Sequence, residues 1–367
     1  MMLAHRLVLE NFRNYTAQEL EFCPGVNILY GDNAQGKTNI LEAVYLFSMG
    51  KGFRAKKDAE LVQHGREEAR AALAFSDAGR DWEAEIRLFR SRRKAISVNE
   101  VPIRLTSELI GRFRVVYFGP EYLGLIKEGP RQRRRNMDIL ISQLRPRYFS
   151  ALSDVKKIID SKNALLKMER PNQAMLEILN EKLASISGEL IAWRSQYIEK
   201  LNQYAAALQN EISGGKETLS MQYLSCVSSP EGMGAEEIAQ KLRQRLEEVA
   251  RRELDNRETI VGPHREDIAY LINGRDAKSF ASQGQQKTIV LAQKLSEVAL
   301  MREETGDAPV LLLDDIMSEL DRKRQSFVLS HIRDMQILIT CTDTEGFALG
   351  EDTRLLKVEN GAVETVS

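Results

Sequence analysis

The amino-acid sequence predicts an α/β protein in which a sheet-bearing domain is interrupted by a mostly helical lobe. Segments with strand character fill the first 118 residues and return near residue 259. Residues 310–313 form a short apolar run that suits a strand buried on both faces. Between these regions the chain has helical spacing and many charged side chains. We therefore expect a discontinuous domain at 1–118 and 258–367, with the lobe inserted at 119–257.

The composition indicates a globular protein without membrane segments. The chain has 367 residues, of which 43% are hydrophobic and 29% charged, and no apolar run approaches the roughly 18 residues that cross a bilayer. Cys23, Cys226 and Cys341 lie far apart, which argues against a disulfide framework or a zinc site and fits a reducing, cytoplasmic environment. The formal net charge of −1 neither supports nor excludes DNA, because nucleic-acid binding depends on local patches.

A complete phosphate-binding loop lies between an N-terminal strand and a helix. Residues 31–38 match G-x-x-x-x-G-K-[ST], and the pattern consists of Gly31, Asp32, Asn33, Ala34, Gln35, Gly36, Lys37 and Thr38. In such a loop the backbone N–H groups and the helix N-terminus point at phosphate oxygens. Lys37 can reach the β- and γ-phosphates, and the Thr38 hydroxyl can bind Mg²⁺. The loop therefore predicts ATP and Mg²⁺ as cofactors, whereas an ordinary glycine-rich turn is the plainer reading.

Two carboxylates follow the apolar run near the C-terminal end of the sequence. Asp314 is expected to hold Mg²⁺ beside the loop, and Asp315 is expected to polarise the attacking water. Aspartate is one methylene shorter than the glutamate usual at this position in ABC-type ATPases, so we expect slow hydrolysis. Taken alone, the pair could equally be solvated acids at a strand end.

Two further segments indicate which class of phosphate-loop protein this is. Ser282, Gly284 and Gln285 resemble the ABC signature, although Gln283 replaces a glycine. Ser318 and Asp321 resemble the ABC D-loop. Each segment could instead be a helix cap. Loop, signature, acid pair and D-loop occur in the ABC order, which predicts an ABC-type ATPase head (a P-loop NTPase), and heptads are too short for a long coiled coil. In that class the signature meets the nucleotide of a second copy, so ATP joins two heads.

Within this class the sequence resembles the RecF family. The resemblance spans almost the whole chain and is carried by residues 9–15 (L-E-N-F-R-N-Y), 31–38, 53–54, 261–267 (V-G-P-H-R-E-D), 282–287, 314–315 and 318–321. It implies a cytoplasmic, ATP-dependent DNA-binding homodimer that acts at gapped or single-strand/double-strand junction DNA. It also implies cooperation with RecR and RecO to load recombinase in replication repair and the SOS response. The expected enzyme is a slow, DNA-stimulated ATPase that acts as a switch.

The sequence departs from the ABC pattern at two positions. Where a Q-loop glutamine is expected, the chain has Gly119-Pro120-Glu121, and Glu121 is the substitute candidate. Where a switch histidine is expected, residues 340–342 read T-C-T. Arg13 is a candidate nucleotide contact by analogy with basic N-terminal residues of this superfamily; a surface arginine at a strand end is the alternative. For His264, a histidine held by a structural hydrogen bond is the more common outcome.

Basic clusters are the candidate DNA contacts, and solvated charge is the plain alternative for each of them. The candidates are Arg131, Arg133, Arg134 and Arg135 near the start of the lobe, Arg92 and Arg93 at an expected hairpin tip, and Lys56 and Lys57. Residues 131–135 lie on a predicted helix and cannot all face one way. No helix-turn-helix, zinc-finger or RNP pattern is present, so we expect contacts to phosphate without base readout.

Four other classes remain as alternatives. An ABC transporter subunit would carry the glutamine loop and the switch histidine, which this sequence lacks. Another SMC-like or zinc-hook repair ATPase would have a long arm or a C-x-x-C hook. A small-molecule kinase would leave the signature and D-loop segments unexplained, and a structural protein would keep only a vestigial nucleotide site. ATPase measurements with and without gapped DNA distinguish these classes.

Overall fold

The computed structural model describes residues 1–332, 334–344 and 352–366. The chain forms two compact units, one of residues 1–124 and 290–367 and one of residues 125–289. The second unit therefore begins later, and ends later, than the lobe limits of 119–257 expected from the sequence. The reason for the later end is strand pairing, since the segment after residue 258 pairs with a strand that lies inside the lobe.

Strands and α-helices of the described residues are numbered in chain order. The strands are β1 (Leu3–Phe12), β2 (Tyr15–Glu21), β3 (Val26–Tyr30), β4 (Glu68–Asp77), β5 (Arg80–Phe89), β6 (Ala95–Val98), β7 (Val101–Ile103), β8 (Val115–Phe118), β9 (Leu219–Leu224), β10 (Asp267–Ile272), β11 (Arg275–Asp276), β12 (Val310–Asp314), β13 (Ile337–Cys341), β14 (Thr353–Glu359) and β15 (Ala362–Thr365). The helices are α1 (Lys37–Met49), α2 (Pro130–Leu144), α3 (Pro146–Leu166), α4 (Gln173–Ser213), α5 (Ala235–Asn256), α6 (Ala277–Phe280), α7 (Gln283–Thr305) and α8 (Arg322–His331).

A six-stranded sheet with the order β15-β14-β3-β13-β12-β8 forms the centre of the first unit. Its strands are parallel from β14 to β8, and β15 alone is antiparallel. All five residues of β12 are buried, as expected for a parallel strand covered on both faces. β3 and β12 are separated only by β13, so the segments that follow them leave the same edge of the sheet. This edge carries the phosphate-binding loop and the acid pair.

The remaining strands of the first unit form an antiparallel sheet with the order β2-β1-β4-β5-β6-β7. β1 alternates between buried and exposed side chains, with Leu7 and Leu9 fully buried, which is typical of a sheet with one face on the core. The strand segments predicted between residues 70 and 98 lie in β4, β5 and β6. This sheet supplies the turn after β1 that reaches the phosphate-binding loop.

The second unit contains helices α2–α6, the first residues of α7 and a small sheet with the order β11-β10-β9. α4 has 41 residues, a length of about 60 Å, and packs against α3 and α5. Among the described residues no pair of helices extends as a long coiled coil, which agrees with the fold expected from the sequence. No α-helix in the described part of the chain is both long and apolar enough to cross a membrane.

A buried polar network explains the segment at residues 261–267. The Glu266 carboxylate accepts hydrogen bonds from Arg194 Nη1 at 2.7 Å and from Ser225 Oγ at 2.8 Å. His264 Nε2 lies 3.1 Å from the Thr259 carbonyl oxygen, and burial lowers the pKa of this histidine. The plainer expectation for His264, a structural hydrogen bond, therefore agrees with its contacts. The segment ties α4 to the loops around β9.

Candidate nucleotide site

Two glycines shape the phosphate-binding loop. Gly31 has φ +148° and Gly36 has φ +117°, values that L side chains rarely adopt. A Cβ atom at Gly31 would lie 2.3 Å from the Val358 carbonyl oxygen, and one at Gly36 would lie 2.4 Å from Asn14 Nδ2. The loop therefore needs glycine at both positions, because the Val358 backbone and the Asn14 side chain lie too close for a Cβ atom.

Lys37, the first residue of α1, is directed back over this loop. Its side chain is 4% exposed, and Nζ donates hydrogen bonds to the carbonyl oxygens of Gly31 at 2.5 Å and Asp32 at 2.9 Å. A buried ammonium whose acceptors here are neutral carbonyl oxygens can gain much from an anion. The arrangement holds a positive charge at the centre of the loop, where the sequence pattern predicts a triphosphate.

Thr38 and Asp314 are in direct contact. The Thr38 hydroxyl donates to Asp314 Oδ1 at 2.7 Å, and the carboxylate is completely buried. A hydroxyl and a carboxylate are hard oxygen ligands, which suit Mg²⁺. The described residues contain no group of three or more His, Cys, Asp or Glu side chains that could hold a metal ion.

Three further side chains hold Asp314 in place. Thr340 Oγ1 donates to Oδ1 at 2.9 Å, Tyr117 OH donates to Oδ2 at 3.2 Å, and Arg54 Nη2 donates to Oδ2 at 3.1 Å. A carboxylate with four donors is fixed in orientation before any ion arrives.

Asp315 has an unusual backbone conformation beside this carboxylate. Its φ is +50°, and its backbone N–H donates to Thr340 Oγ1 at 2.8 Å. Thr340 thus contacts both acids from the position where the ABC pattern has a switch histidine. Burial, followed by the charge of Asp314, raises the pKa of Asp315. Asp315 lines a cavity of about 430 Å³ together with Asn33 and Ser318, so it faces space beside the phosphate-binding loop.

The turn after β1 braces the loop through Asn14. Asn14 Nδ2 donates to the Gln35 carbonyl oxygen at 2.9 Å, and Asn39 Nδ2 donates to Asn14 Oδ1 at 2.8 Å. The side chain of Gln35 accepts the backbone N–H of Asn360 at 2.6 Å. The loop is therefore held between the β1–β2 turn and the β14–β15 turn.

Arg13 is engaged by a buried carboxylate in this structure. Its Nε and Nη2 donate to Glu42 Oε2 at 2.9 and 2.7 Å, and Glu42 is completely buried on α1. Glu42 Oε1 accepts the backbone N–H groups of Arg54 and Ala55 at 2.9 and 3.1 Å. A nucleotide contact by Arg13 stays a prediction. Glu42 was not singled out from the sequence, and its place at the sixth position of the helix after the loop was the available signal.

The signature and D-loop segments both contain helix caps. Ser282 N–H donates to Gln285 Oε1 at 2.9 Å, and Gln285 N–H donates to Ser282 Oγ at 3.2 Å, which is a reciprocal capping arrangement. Asp321 caps α8 by accepting the Arg324 N–H at 3.0 Å. Ser318 Oγ donates to the Asp315 carbonyl oxygen at 2.8 Å. A capped helix N-terminus can still bind an anion, so a role as a helix cap is compatible with a role at the nucleotide site.

Glu121, the Q-loop candidate, lies in the turn Pro120–Gly124 directly after β8. Its side chain is exposed, and its charge adds to burial and to Asp314 in raising the pKa of Tyr117. Tyr117 in turn contacts Asp314, so Glu121 is linked to the metal candidate through one side chain. A role in place of the glutamine stays a prediction.

Two of the three basic clusters predicted from the sequence lie side by side in the first unit. Lys94, at the β5–β6 hairpin, donates to the Gly50 carbonyl oxygen at 2.5 Å and to Asp58 Oδ2 at 3.0 Å. This contact brings the hairpin tip against the segment after α1. The exposed cations of this region, which we call the hairpin basic surface, are Lys56, Lys57, Arg92 and Arg93.

The structure removes Arg133 from the DNA-binding candidates. Arg133 is 4% exposed, and its Nε and Nη2 donate to the two Asp267 carboxylate oxygens at 2.7 and 2.8 Å. Its Nη1 donates to backbone carbonyl oxygens at the start of the second unit. Arg134 is half-buried and donates to the Glu266 carbonyl oxygen. Arg131 and Arg135 are exposed, and with Arg134 they stay predicted DNA contacts.

Arg133→Ala is expected to lower the free energy of unfolding by about 3 kcal/mol, because it leaves the Asp267 carboxylate without its bidentate partner in a largely buried site. Denaturant titration measures the change. Arg131→Ala, on the exposed face of the same helix, is the matched control and should remain within about 0.5 kcal/mol of wild type. Full stability in the Arg133 variant together with weakened DNA binding would restore it as a DNA contact.

The parallel sheet, the glycine loop, the acid pair and the capped segments define an ATPase head of the P-loop class, as the sequence predicted. A family model described as RecF/RecN/SMC N terminal domain matches residues 3–364. The chain belongs to the RecF family. This membership replaces the alternatives of a transporter subunit, a zinc-hook ATPase and a small-molecule kinase.

Individual relatives agree with this assignment over their full lengths. The DNA replication and repair protein RecF of Clostridium acetobutylicum is 40% identical over 366 residues, with 99% of each chain covered. RecF of Lachnoclostridium phytofermentans is 40% identical over 368 residues, again with 99% of each covered. A solved structure of the recombination mediator protein RecF-ATPrS in the RecFOR pathway superposes with a TM-score of 0.94 at 39% identity, covering 100% of this chain and 98% of the other. The Smc head domain of Pyrococcus furiosus shares the fold, with a TM-score of 0.56 at 15% identity, 100% of this chain covered and 96% of the other.

Proposed function

We propose that this chain is an ATP-switched DNA-binding protein of recombinational repair and replication restart in the cytoplasm. ATP with Mg²⁺ joins two copies on gapped or single-strand/double-strand junction DNA, and the dimer helps RecR and RecO to load recombinase. The observation that carries the proposal is the direct contact of Thr38 with Asp314 beside the buried ammonium of Lys37. Family membership connects this nucleotide site to DNA repair.

ATP and Mg²⁺ are supported by the chemistry of the loop. Lys37 and the backbone N–H groups of residues 31–38 supply positive potential for the phosphates. Thr38 and Asp314 supply two hard oxygen ligands in contact with one another. A RecF structure described as RecF-ATP, at 39% identity and a TM-score of 0.93, supports the same ligand for this chain.

Assembly of two copies through ATP is supported by the signature segment. Ser282 is exposed at the N-terminus of α7, where a helix N-terminus and a hydroxyl offer hydrogen-bond donors to an anion. A serine and helix N-terminus displayed at the surface suit the triphosphate of a second copy. We infer that each ATP lies between the loop of one chain and Ser282 of the other.

Slow hydrolysis follows from the acid pair. Asp315 is the proposed base. Its raised pKa makes the carboxylate a better acceptor for a proton from water. Thr340 stands at the position expected for a histidine. Its hydroxyl can orient Asp314 but cannot carry a positive charge. The combination suits a switch whose ATP state persists, and DNA is the proposed stimulator.

ATP hydrolysis measured with and without gapped duplex tests the proposal. We expect the rate to rise several-fold with gapped DNA, and Lys56→Glu/Lys57→Glu to weaken DNA binding, because charge reversal on the hairpin basic surface repels phosphate. The affinity of wild type for DNA should fall steeply with salt. The logarithm of the binding constant plotted against the logarithm of salt concentration should have a slope of about −0.9 per phosphate contact. Arg80→Glu, at the exposed first residue of β5, is the control for charge reversal outside the hairpin basic surface.

Two results together would overturn the proposal. One is an ATPase rate that does not respond to gapped duplex. The other is a Lys37→Met variant that binds DNA as tightly as wild type in the presence of Mg·ATP. A chain with both properties would bind ATP without using it to control DNA.

A further inference from the structure

The signature segment is connected by hydrogen bonds to a glutamate outside the motif. Glu217, in the turn between α4 and β9, accepts a hydrogen bond from Gln285 Nε2 to its Oε1 at 2.9 Å. Its other oxygen, Oε2, accepts from Gln209 Nε2 at 2.6 Å. Gln209 is a fully buried residue of α4. One carboxylate thus joins the longest helix of the second unit to the signature glutamine.

The backbone also fixes Glu217. The Glu217 N–H donates to Ser213 Oγ at 3.1 Å, and Ser213 is the last residue of α4. Gly214 and Gly215 follow with φ of +67° and +78°, a double left-handed turn that glycine adopts without strain. Glu217 therefore has little freedom, since its backbone and both carboxylate oxygens are bound to residues of the second unit.

This contact determines what Ser282 can offer a ligand. Gln285 Nε2 is bound to Glu217, so Gln285 Oε1 faces the Ser282 N–H at 2.9 Å. Ser282 Oγ accepts the Gln285 backbone N–H at 3.2 Å, which leaves the hydroxyl hydrogen to be donated to an anion. Without the carboxylate, the Gln285 amide loses the bond that defines its orientation, and the Ser282 backbone loses a fixed acceptor.

We propose that Glu217 is a positioning residue for the nucleotide site formed between two copies of the chain. It acts through Gln285, which orients Ser282 toward the γ-phosphate held by the other copy. The inference rests on the proposed ATP-bridged dimer. A carboxylate would repel phosphate in direct contact, so orientation of an amide accounts for the glutamate better than direct contact with the ligand does.

Glu217→Gln separates this role from a structural one. The substitution keeps the size of the side chain but turns one hydrogen-bond acceptor into a donor, which then faces the donor group of Gln209 or Gln285. We expect the affinity of single chains for ATP to stay within twofold of wild type, since the phosphate loop is elsewhere in sequence. We expect the dissociation constant of the Mg·ATP-dependent dimer to rise about tenfold. Lys216→Ala, the exposed neighbour, is the matched control.

Nucleotide titration and light scattering across a concentration series measure the two quantities. If wild type does not associate with Mg·ATP, the proposed function fails. If wild type associates and Glu217→Gln associates equally well, the positioning role is wrong while the proposed function stands. A variant that loses ATP affinity and association together would also overturn the positioning role.

A mixing experiment guards against simple loss of folding. Lys37→Met keeps an intact signature, and Glu217→Gln keeps an intact phosphate loop. A mixture of the two therefore contains one complete site per mixed dimer, and we expect it to associate more tightly than either variant alone. A misfolded Glu217→Gln chain would contribute no phosphate loop, so tighter association of the mixture also shows that this variant is folded. A mixture that associates no more tightly than either variant alone would overturn the inference.

Discussion

Lys37→Met is expected to lower the affinity for Mg·ATP at least about 100-fold, because two charge-assisted hydrogen bonds to phosphate contribute about 3 kcal/mol together. The structure gives the reason for so large an effect. Lys37 is 4% exposed, and within the part of the chain that the structure describes its ammonium donates to neutral carbonyl oxygens of the loop. Methionine fills a similar volume but supplies no charge to the phosphates.

Isothermal titration calorimetry with Mg·ATP measures this change. Arg80→Met, which removes an exposed cation from the start of β5 in the same unit, serves as the control for total charge and should bind like wild type. Circular dichroism establishes that the Lys37 variant is folded. Wild-type affinity in a folded Lys37→Met chain would mean that the triphosphate lies elsewhere.

Asp315→Asn is expected to slow ATP hydrolysis at least about 100-fold, because a positioned base contributes 10²–10⁴-fold to proton transfer. Asparagine keeps the shape of the side chain but cannot accept a proton from water. ATP binding by the loop remains, so the ATP-bound dimer accumulates. Light scattering should report a monomer without nucleotide and a long-lived dimer with Mg·ATP. Asp81→Asn, an exposed acid in the same unit, is the control.

The same variant has an expected effect on stability. Burial and Asp314 raise the pKa of Asp315 above its unfolded value, so the ionised side chain disfavours the folded state at neutral pH. In nucleotide-free protein with chelator, Asp315→Asn should therefore raise the midpoint of thermal unfolding at pH 7. The difference should disappear below about pH 4, where the unfolded aspartate is also protonated. Lower stability at pH 7 with rapid hydrolysis would contradict both roles of Asp315.

Local patterns made the arrangement of the candidate nucleotide site predictable. The loop, Asp314 and Asp315 each lie at the end of a buried strand, and strand, turn and acid are encoded by neighbouring residues. The parallel sheet then brings the ends of β3 and β12 to one edge. The fold class and the family were predicted for the same reason, since the motifs occur in a fixed order.

The residues that hold the site could not be predicted because they come from distant parts of the chain. Thr340 and Tyr117 reach Asp314 from β13 and β8, and Asn14 reaches the loop from the turn after β1. No local pattern marks a side chain whose partner lies 21, 26 or 197 residues away along the chain. The limits of the lobe were displaced for a related reason, namely the pairing of β10 with β9 across α5.

The burial of Arg133 could have been predicted from helical spacing. Arg133 precedes Met137, Leu140 and Leu144 at four, seven and eleven residues, and all three are buried on α2. An arginine on that stripe is directed at the core, where it requires a carboxylate partner. The density of basic residues suggested that Arg133 is exposed, whereas the helical period predicts that it lies on the buried face of α2.

The placement of β14 beside β3 has a consequence for synthesis of the protein. β3 ends at Tyr30, whereas the strand that covers its outer edge begins only at Thr353. The β14–β15 turn then contributes the Asn360 N–H to Gln35 of the phosphate loop. While the ribosome is still translating the middle of the chain, β3 has an open edge that can pair with other nascent chains. The phosphate loop therefore acquires this brace only after residues 353–360 have been synthesised.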